Sequence, residues 1–203
     1  MRWTVVIPAK ALPEAKSRLL PASADAAAHR HLVEAIRADT LAAAGAAEGV
    51  ARVLVVTDRM GDPDALVQRQ PGLNAALREA AEYAARSWPE DGIVALVGDL
   101  PALRPDELAA ALSAAAQHPR SFVADAPGTG TTLLAVTPGT SLDPRFGAGS
   151  AARHADGGAQ LEGGRGLRHD VDTAEDLREA AGLGLGAATA AVLRAAEVPV
   201  RSS

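Results

Sequence analysis

An α/β fold built on a parallel, doubly wound sheet is what this 203-residue chain predicts. Two apolar, β-branched runs at residues 4–7 and 53–57 read as strands buried on both faces. A third run at 94–97 leads into Gly98, Asp99, Leu100 and Pro101, so a buried strand delivers one carboxylate at its end and then turns. Segments with helical spacing lie between these runs, and strand–helix alternation is the signature of such a sheet. The length suits one domain and not two full ones, so residues 1–203 are expected to form a single domain.

Composition narrows the chemistry. A formal net charge of -5 argues against nucleic acid or an anionic membrane as the main partner, and small-molecule chemistry fits better. Only 2% of residues are aromatic against 48% hydrophobic, so Ala, Leu and Val must fill the core. The absence of cysteine excludes a disulfide scaffold, a thiolate metal site and a cysteine nucleophile. The short apolar run near Met1 has no cleavable hydrophobic region, and no stretch approaches roughly 20 uncharged apolar residues. The expected location is the cytoplasm.

The first strand feeds a loop, residues 8–18, that carries Lys10, Lys16 and Arg18. Three cations there suit a polyphosphate grip, against the simpler reading of solvated surface charges. Leu32, Val33, Ile36, Thr40 and Leu41 give a helix over 25–44 with Gly45 as its stop. His29 and His31 fall on or near its polar side, where solvation is the expected state. Residues 71–74 open the next helix, where Asn74 either caps the backbone or reads a base or ribose. A helix with Pro105 in its first turn follows the 94–97 strand, and 122–125 is a further strand candidate.

The second half is richer in glycine. The stretch 128–132, Gly-Thr-Gly-Thr-Thr, enters a strand and suits a phosphate contact, although a simple turn explains it as well. Residues 144–154 place Gly147 and Gly149 before a short helix beginning near Ser150, another candidate anion contact. Residues 157–166 read as a loop or hairpin, and the 183–203 tail as an Ala-rich helix with a polar end. In between, Asp170 and Asp172 are one residue apart, and in an extended segment they share a face. Asp172 or Thr173 could instead cap the helix over 173–181, which leaves Asp170 unexplained.

Asp99, Asp170 and Asp172 are hard oxygen donors with no accompanying His or Cys cluster, which favours Mg²⁺ or Mn²⁺ over zinc. Magnesium implies phosphoryl or nucleotidyl transfer. No Ser-His-Asp elbow, GxxxxGK[ST] loop or GxGxxG after the first strand is present.

Taken together, Ala15 to Leu19, Gly72-Leu73-Asn74, Gly98 to Pro101, Gly128 to Thr131, Phe146 to His154 and Asp170 to Thr173 resemble the CofC/FbiD family, guanylyltransferases of coenzyme F-420 biosynthesis. The resemblance runs in order from about residue 4 to about residue 195. It implies a GT-A-like (Rossmann-like) nucleotidyltransferase fold with a mixed, mostly parallel sheet. It also implies transfer of GMP from GTP to the phosphate of phosphoenolpyruvate or 2-phospho-L-lactate, with release of pyrophosphate. By motif, Asp99, Asp170 and Asp172 would bind Mg²⁺ as one or two ions, and Thr132, Gly147 and Ser150 would hold phosphoenolpyruvate. Lys10, Lys16 and Arg18 would grip the triphosphate, with Lys16 and Asp99 catalytic, and Gly72 and Asn74 would lie near the guanosine. Phosphoenolpyruvate is the preferred acceptor, with 2-phospho-L-lactate and 3-phosphoglycerate as alternatives. The chain would act as a monomer or homodimer. A molybdenum-cofactor-type nucleotidyltransferase is the competing enzyme reading, but the 8–13 loop lacks the glycines such enzymes place after their first strand. A non-catalytic nucleotide-binding regulator is the reading from another class.

Overall fold

A computed structural model of the chain describes residues 1–9, 19, 25–58 and 65–197. Seven strands form one sheet in the order β3-β2-β1-β4-β6-β5-β7. The strands are β1 (Trp3–Ala9), β2 (Val50–Thr57), β3 (Ala65–Val67), β4 (Gly92–Leu96), β5 (Arg120–Ala124), β6 (Thr131–Val136) and β7 (Ala159–Gln160). The helices are α1 (Ala26–Ala46), α2 (Leu73–Ser87), α3 (Pro105–Ala115), α4 (Ser150–Ala155), α5 (Arg165–Arg168), α6 (Ala174–Leu183) and α7 (Ala187–Glu197). None of the described helices is long and apolar enough to cross a membrane.

Strands β1, β2, β3 and β4 pair in parallel, and β7 is parallel to β5. β6 runs antiparallel between β4 and β5, so the sheet is mixed and not wholly parallel. The cause is the short 125–130 connection, which joins β5 to β6 as a hairpin and can link only antiparallel neighbours. β3 and β7 are too short to show an alternation in sequence, and β7 lies inside the glycine-rich stretch expected to be loop or hairpin.

Alternate residues of the central strands feed two cores. Val5, Ile7, Val94, Leu96, Leu133 and Ala135 pack with α1 and α3, while Val6, Ala95, Leu134 and Val136 pack with α2 and Ala151 of α4. Small Ala side chains on α2 and α3 let these helices approach closely, which fits a core with few aromatic residues. A third cluster, including Leu19, Leu32, Ile36, Val171 and Leu177, is covered by Val192 and Leu193 of α7. Helix α1 is therefore buried on more than its sheet-facing stripe. His29, expected to be solvated, is buried, while His31 is exposed. Asp39 of α1 receives the Ala188 and Thr189 backbone N–H groups at 2.9 and 2.8 Å, satisfying the first turn of α7.

At the amino ends of the strands, buried Asp91 accepts from Arg52, Thr4 and Arg2, and the Arg52 guanidinium stacks 3.9 Å over the Trp88 ring. Burial alone would raise the Asp91 carboxyl, but the Arg52 and Thr4 hydrogen bonds and the two arginine charges hold it below its usual 3.8. A carboxyl lowered in this way stabilises the fold fully above that value, and the contribution is lost as pH falls through the lower folded value. Asp91→Asn is expected to cost about 2 kcal/mol at neutral pH. The gap in melting temperature from wild type should narrow as the solution is acidified below pH 4, as thermal unfolding across a pH series would show.

Candidate active site

The strand order reverses between β1 and β4, and their carboxyl ends border the crevice where open α/β sheets bind ligands. Asp99 stands just beyond β4 at that point. Gly98 makes the close approach possible, since a Cβ there would lie 3.1 Å from the Pro8 carbonyl oxygen and 3.2 Å from Ile7. The turn after Asp99 is fixed from two sides. Thr40 of α1 accepts the Leu100 N–H at 2.9 Å, and the Pro101 carbonyl accepts from Gly186 at 2.8 Å.

The segment carrying Asp170 and Asp172 is tied directly to this strand end, because Val171 donates its N–H to the Asp99 carbonyl at 3.0 Å. The Val171 side chain is buried in the third cluster, so alternation turns its two acidic neighbours to the other side. Thr173, and not Asp172, caps α6. Its hydroxyl accepts the Asp176 N–H, and the Asp176 carboxylate accepts from the Asp172 and Thr173 N–H groups. Burial pushes the Asp176 carboxyl up, but the hydrogen bonds from Thr173 and Asp172 outweigh it and hold it low. This leaves the Asp172 carboxylate outside the cap. All three donors are hard oxygens from two backbone segments bonded to each other, which suits a divalent cation. Among the described residues, however, no group of three or more His, Cys, Asp or Glu side chains is gathered to hold a metal.

On the far side of Asp99, Val97 donates to the Thr132 carbonyl at 3.0 Å, linking this strand end to β6. Here the register slips. Val123 pairs with Leu133 but Ala124 with Thr131, so Thr131 and Thr132 oppose one residue in a bulge. Thr132 Oγ1 is fully buried and has no hydrogen-bond partner among the described residues. Beside it, the Ser150 hydroxyl donates to Thr131 Oγ1 at 3.0 Å.

The 145–150 loop that carries Gly147 and Ser150 is held by three side chains. Asn74 donates to the Phe146 carbonyl at 3.1 Å and accepts the Phe146 N–H at 2.8 Å. Arg153 places its guanidinium on the Arg145 and Ala148 carbonyls at 2.7 to 3.1 Å. His154 Nε2 accepts the Arg145 N–H at 3.0 Å, and its Nδ1 lies 2.9 Å from Thr131 Oγ1. Gly147 and Gly149 occupy φ of 122° and 70°, backbone that a side chain would strain.

Buried His154 sits between Phe122 and Phe146, with ring centroids 6.1 and 5.2 Å away. Burial, followed by the charges of Arg153, Arg120 and Arg145, lowers its pKa from 6.5 to about 4. The unfolded chain then takes up a proton near pH 6.5 that the folded chain refuses until about pH 4. Stability should fall across that window by up to about 1.4 kcal/mol per pH unit. His154→Phe is expected to remove this slope in denaturant midpoints measured between pH 7 and 4.

The structure thus brings Asp99, Thr132, Gly147 and Ser150 to neighbouring strand ends and ties the Asp170–Asp172 backbone to Asp99. Lys10, Lys16 and Arg18 lie outside the described residues. Gly72 is the N-cap of α2 at φ 104°, a backbone role that glycine fills. Asn74 does not cap α2, and its carbonyl oxygen and one N–H are committed to Phe146. Sequence reasoning passed over Thr40, Arg153 and His154 as participants. The i, i+4 spacing of Ser150 and His154 was the one available signal for the last of these.

No family model matches the chain. A phosphoenolpyruvate guanylyltransferase of Geodermatophilus obscurus is 51% identical over 213 aligned positions, covering 97% of this chain and 96% of its own. That of Streptomyces scabiei is 47% identical, covering 98% and 99%. Among solved structures, a Desulfovibrio desulfuricans protein described as a nucleotide-diphospho-sugar transferase superposes with TM-score 0.70 at 16% identity, over 98% of this chain and all of its own. A Mycobacterium tuberculosis protein solved in complex with manganese gives 0.54 at 22% identity, over 88% and 97%. The solved structures share the fold, and the relatives decide the family: the chain belongs to the phosphoenolpyruvate guanylyltransferases.

Proposed function

We propose that this chain transfers GMP from GTP to the phosphate of phosphoenolpyruvate, releasing pyrophosphate, as a cytoplasmic step of coenzyme F-420 biosynthesis. The observation that carries the acceptor site is the buried Thr132 hydroxyl, without a partner among the described residues, near Ser150 and the Gly147 turn and one strand away from Asp99. A buried hydroxyl donor without a partner costs free energy that an anionic ligand returns.

In this reading Thr132 and the Gly147 turn orient the acceptor so that a phosphate oxygen faces the α-phosphorus of GTP, while Ser150, whose hydroxyl donates to Thr131 and whose N–H donates to the Gly147 carbonyl, holds that turn in place. The substrate is its own nucleophile, so no side chain forms a covalent intermediate. Lys10, Lys16 and Arg18 grip the triphosphate and stabilise charge on the departing pyrophosphate. Gly72 sits beside the guanosine, while Asn74 acts there by fixing Phe146. Asp99, Asp170 and Asp172 would hold a divalent cation, Mg²⁺ or Mn²⁺, which would supply charge neutralisation for the phosphates.

The test is pyrophosphate release from GTP and Mg²⁺ with phosphoenolpyruvate, 2-phospho-L-lactate or 3-phosphoglycerate in separate reactions. The expected result is a kcat/KM highest for phosphoenolpyruvate. Equal or greater turnover with another acceptor overturns the assignment of substrate, and no release with any of them overturns the reaction.

A further inference from the structure

The acceptor reading leaves one polar group of the cradle without a role, and its hydrogen bonds define what it can bind. A backbone N–H can only donate, so His154 Nε2, which receives the Arg145 N–H at 3.0 Å, carries no proton. The ring proton of the neutral imidazole is then on Nδ1 and donates to Thr131 Oγ1, 2.9 Å away. The Ser150 hydroxyl donates to the same oxygen at 3.0 Å. A hydroxyl oxygen has two lone pairs, and both are now used. With Ser150 and His154 both donating to it, the Thr131 proton is directed at neither, and no acceptor among the described residues is paired with it. Thr131 is 6% exposed, and the bulge sets it beside Thr132, whose buried hydroxyl also has no partner among the described residues.

We propose that Thr131 is a further acceptor-binding residue, a hydroxyl that can only donate, and that His154 is the positioning residue that fixes this polarity. A group limited to donating selects an anionic oxygen, such as a carboxylate or phosphate oxygen, and rejects a donor in the same place. Two adjacent donor hydroxyls suit the paired oxygens of a carboxylate. The loop register and the direction of the Thr131 proton are set by one imidazole, because its two nitrogens face the loop and the strand. This inference rests on the acceptor site proposed above.

Steady-state kinetics on the full chain test it, with GTP and phosphoenolpyruvate varied separately. Thr131→Val keeps the shape and removes the donor. It is expected to raise the KM for phosphoenolpyruvate about tenfold or more while leaving that for GTP within about twofold. Thr131→Ser should recover most of the lost affinity. His154→Phe fills the site between Phe122 and Phe146 but frees Thr131 to turn its proton, and should raise the same KM alone. If the valine variant does not fold, Thr131→Cys, which keeps the volume with a weaker donor, carries the comparison. An unchanged acceptor KM in the folded variants, or a parallel rise in both KM values, overturns the inference. Wild-type protein that uses no phosphorylated acceptor instead overturns the function reading, so the two failures are distinct.

Discussion

Asp99→Asn should lower kcat by about a thousandfold while leaving the fold intact, because in the proposed reading it removes one anionic ligand from a cation that would supply several kcal/mol. The substitution keeps the volume and leaves in place the backbone bonds that fix the turn, namely Leu100 to Thr40 and Val171 to the Asp99 carbonyl. Asp172→Asn should behave alike, since Thr173 and Asp176, not Asp172, make the cap of α6. Titration of Mn²⁺ in the presence of GTP should show a weakened metal requirement for both variants, alongside unchanged circular dichroism. Retention of most activity in either variant would remove that carboxylate from the metal set.

Gly166→Ala should be the most damaging single methyl added to the described fold near the site, at about 3 kcal/mol. A Cβ there would press on the backbone carbonyl of Ala102, lying 2.8 Å from its carbon, and on the Glu107 carboxylate. Neither neighbour gives way cheaply. Ala102 is buried in the turn that follows Asp99, and Glu107 is held between the Arg104 and Gly166 N–H groups. Helix α5 would have to lift, carrying the segment that leads to Asp170. For a chain of this length the expected fall in melting temperature is about 6 to 12 °C. Gly182→Ala provides the contrast, because a Cβ there meets nothing within 4 Å and should be neutral or slightly stabilising. Calorimetry of the two variants side by side checks the difference.

The parts of the site that were legible in sequence are those whose signal is local. The apolar run into Gly98 and Asp99 predicted a strand end with a carboxylate, and β4 is followed by that turn. The Asp170–Asp172 spacing predicted two acids on one side, and the buried Val171 between them agrees. The glycines at 147 and 149 marked a turn that needs positive φ. The cap expected of Asn74 was a local role, whereas its partner Phe146 lies 72 residues away. His154 was similarly opaque: its two partners lie on a strand and a loop whose juxtaposition exists only after β6 enters the sheet in reverse. The sheet's mixed character followed from the family resemblance. Periodicity alone pointed to a parallel arrangement, since a buried antiparallel strand such as β6 reads as the same continuous apolar run. That Val192 and Leu193 of α7 cover Leu32 and Ile36 on a second side of α1 is something no pattern within α1 reveals.

The central claim is that an acceptor phosphate attacks the α-phosphorus of GTP, and isotopic labelling of the nucleotide tests it most directly. With phosphoenolpyruvate and Mg²⁺, GTP labelled at the α-phosphorus should carry its label into the acceptor product. GTP labelled at the γ-phosphorus should release all of its label as pyrophosphate. Label from the γ-position on the acceptor, or α-label recovered only as free GMP or GDP, would contradict nucleotidyl transfer.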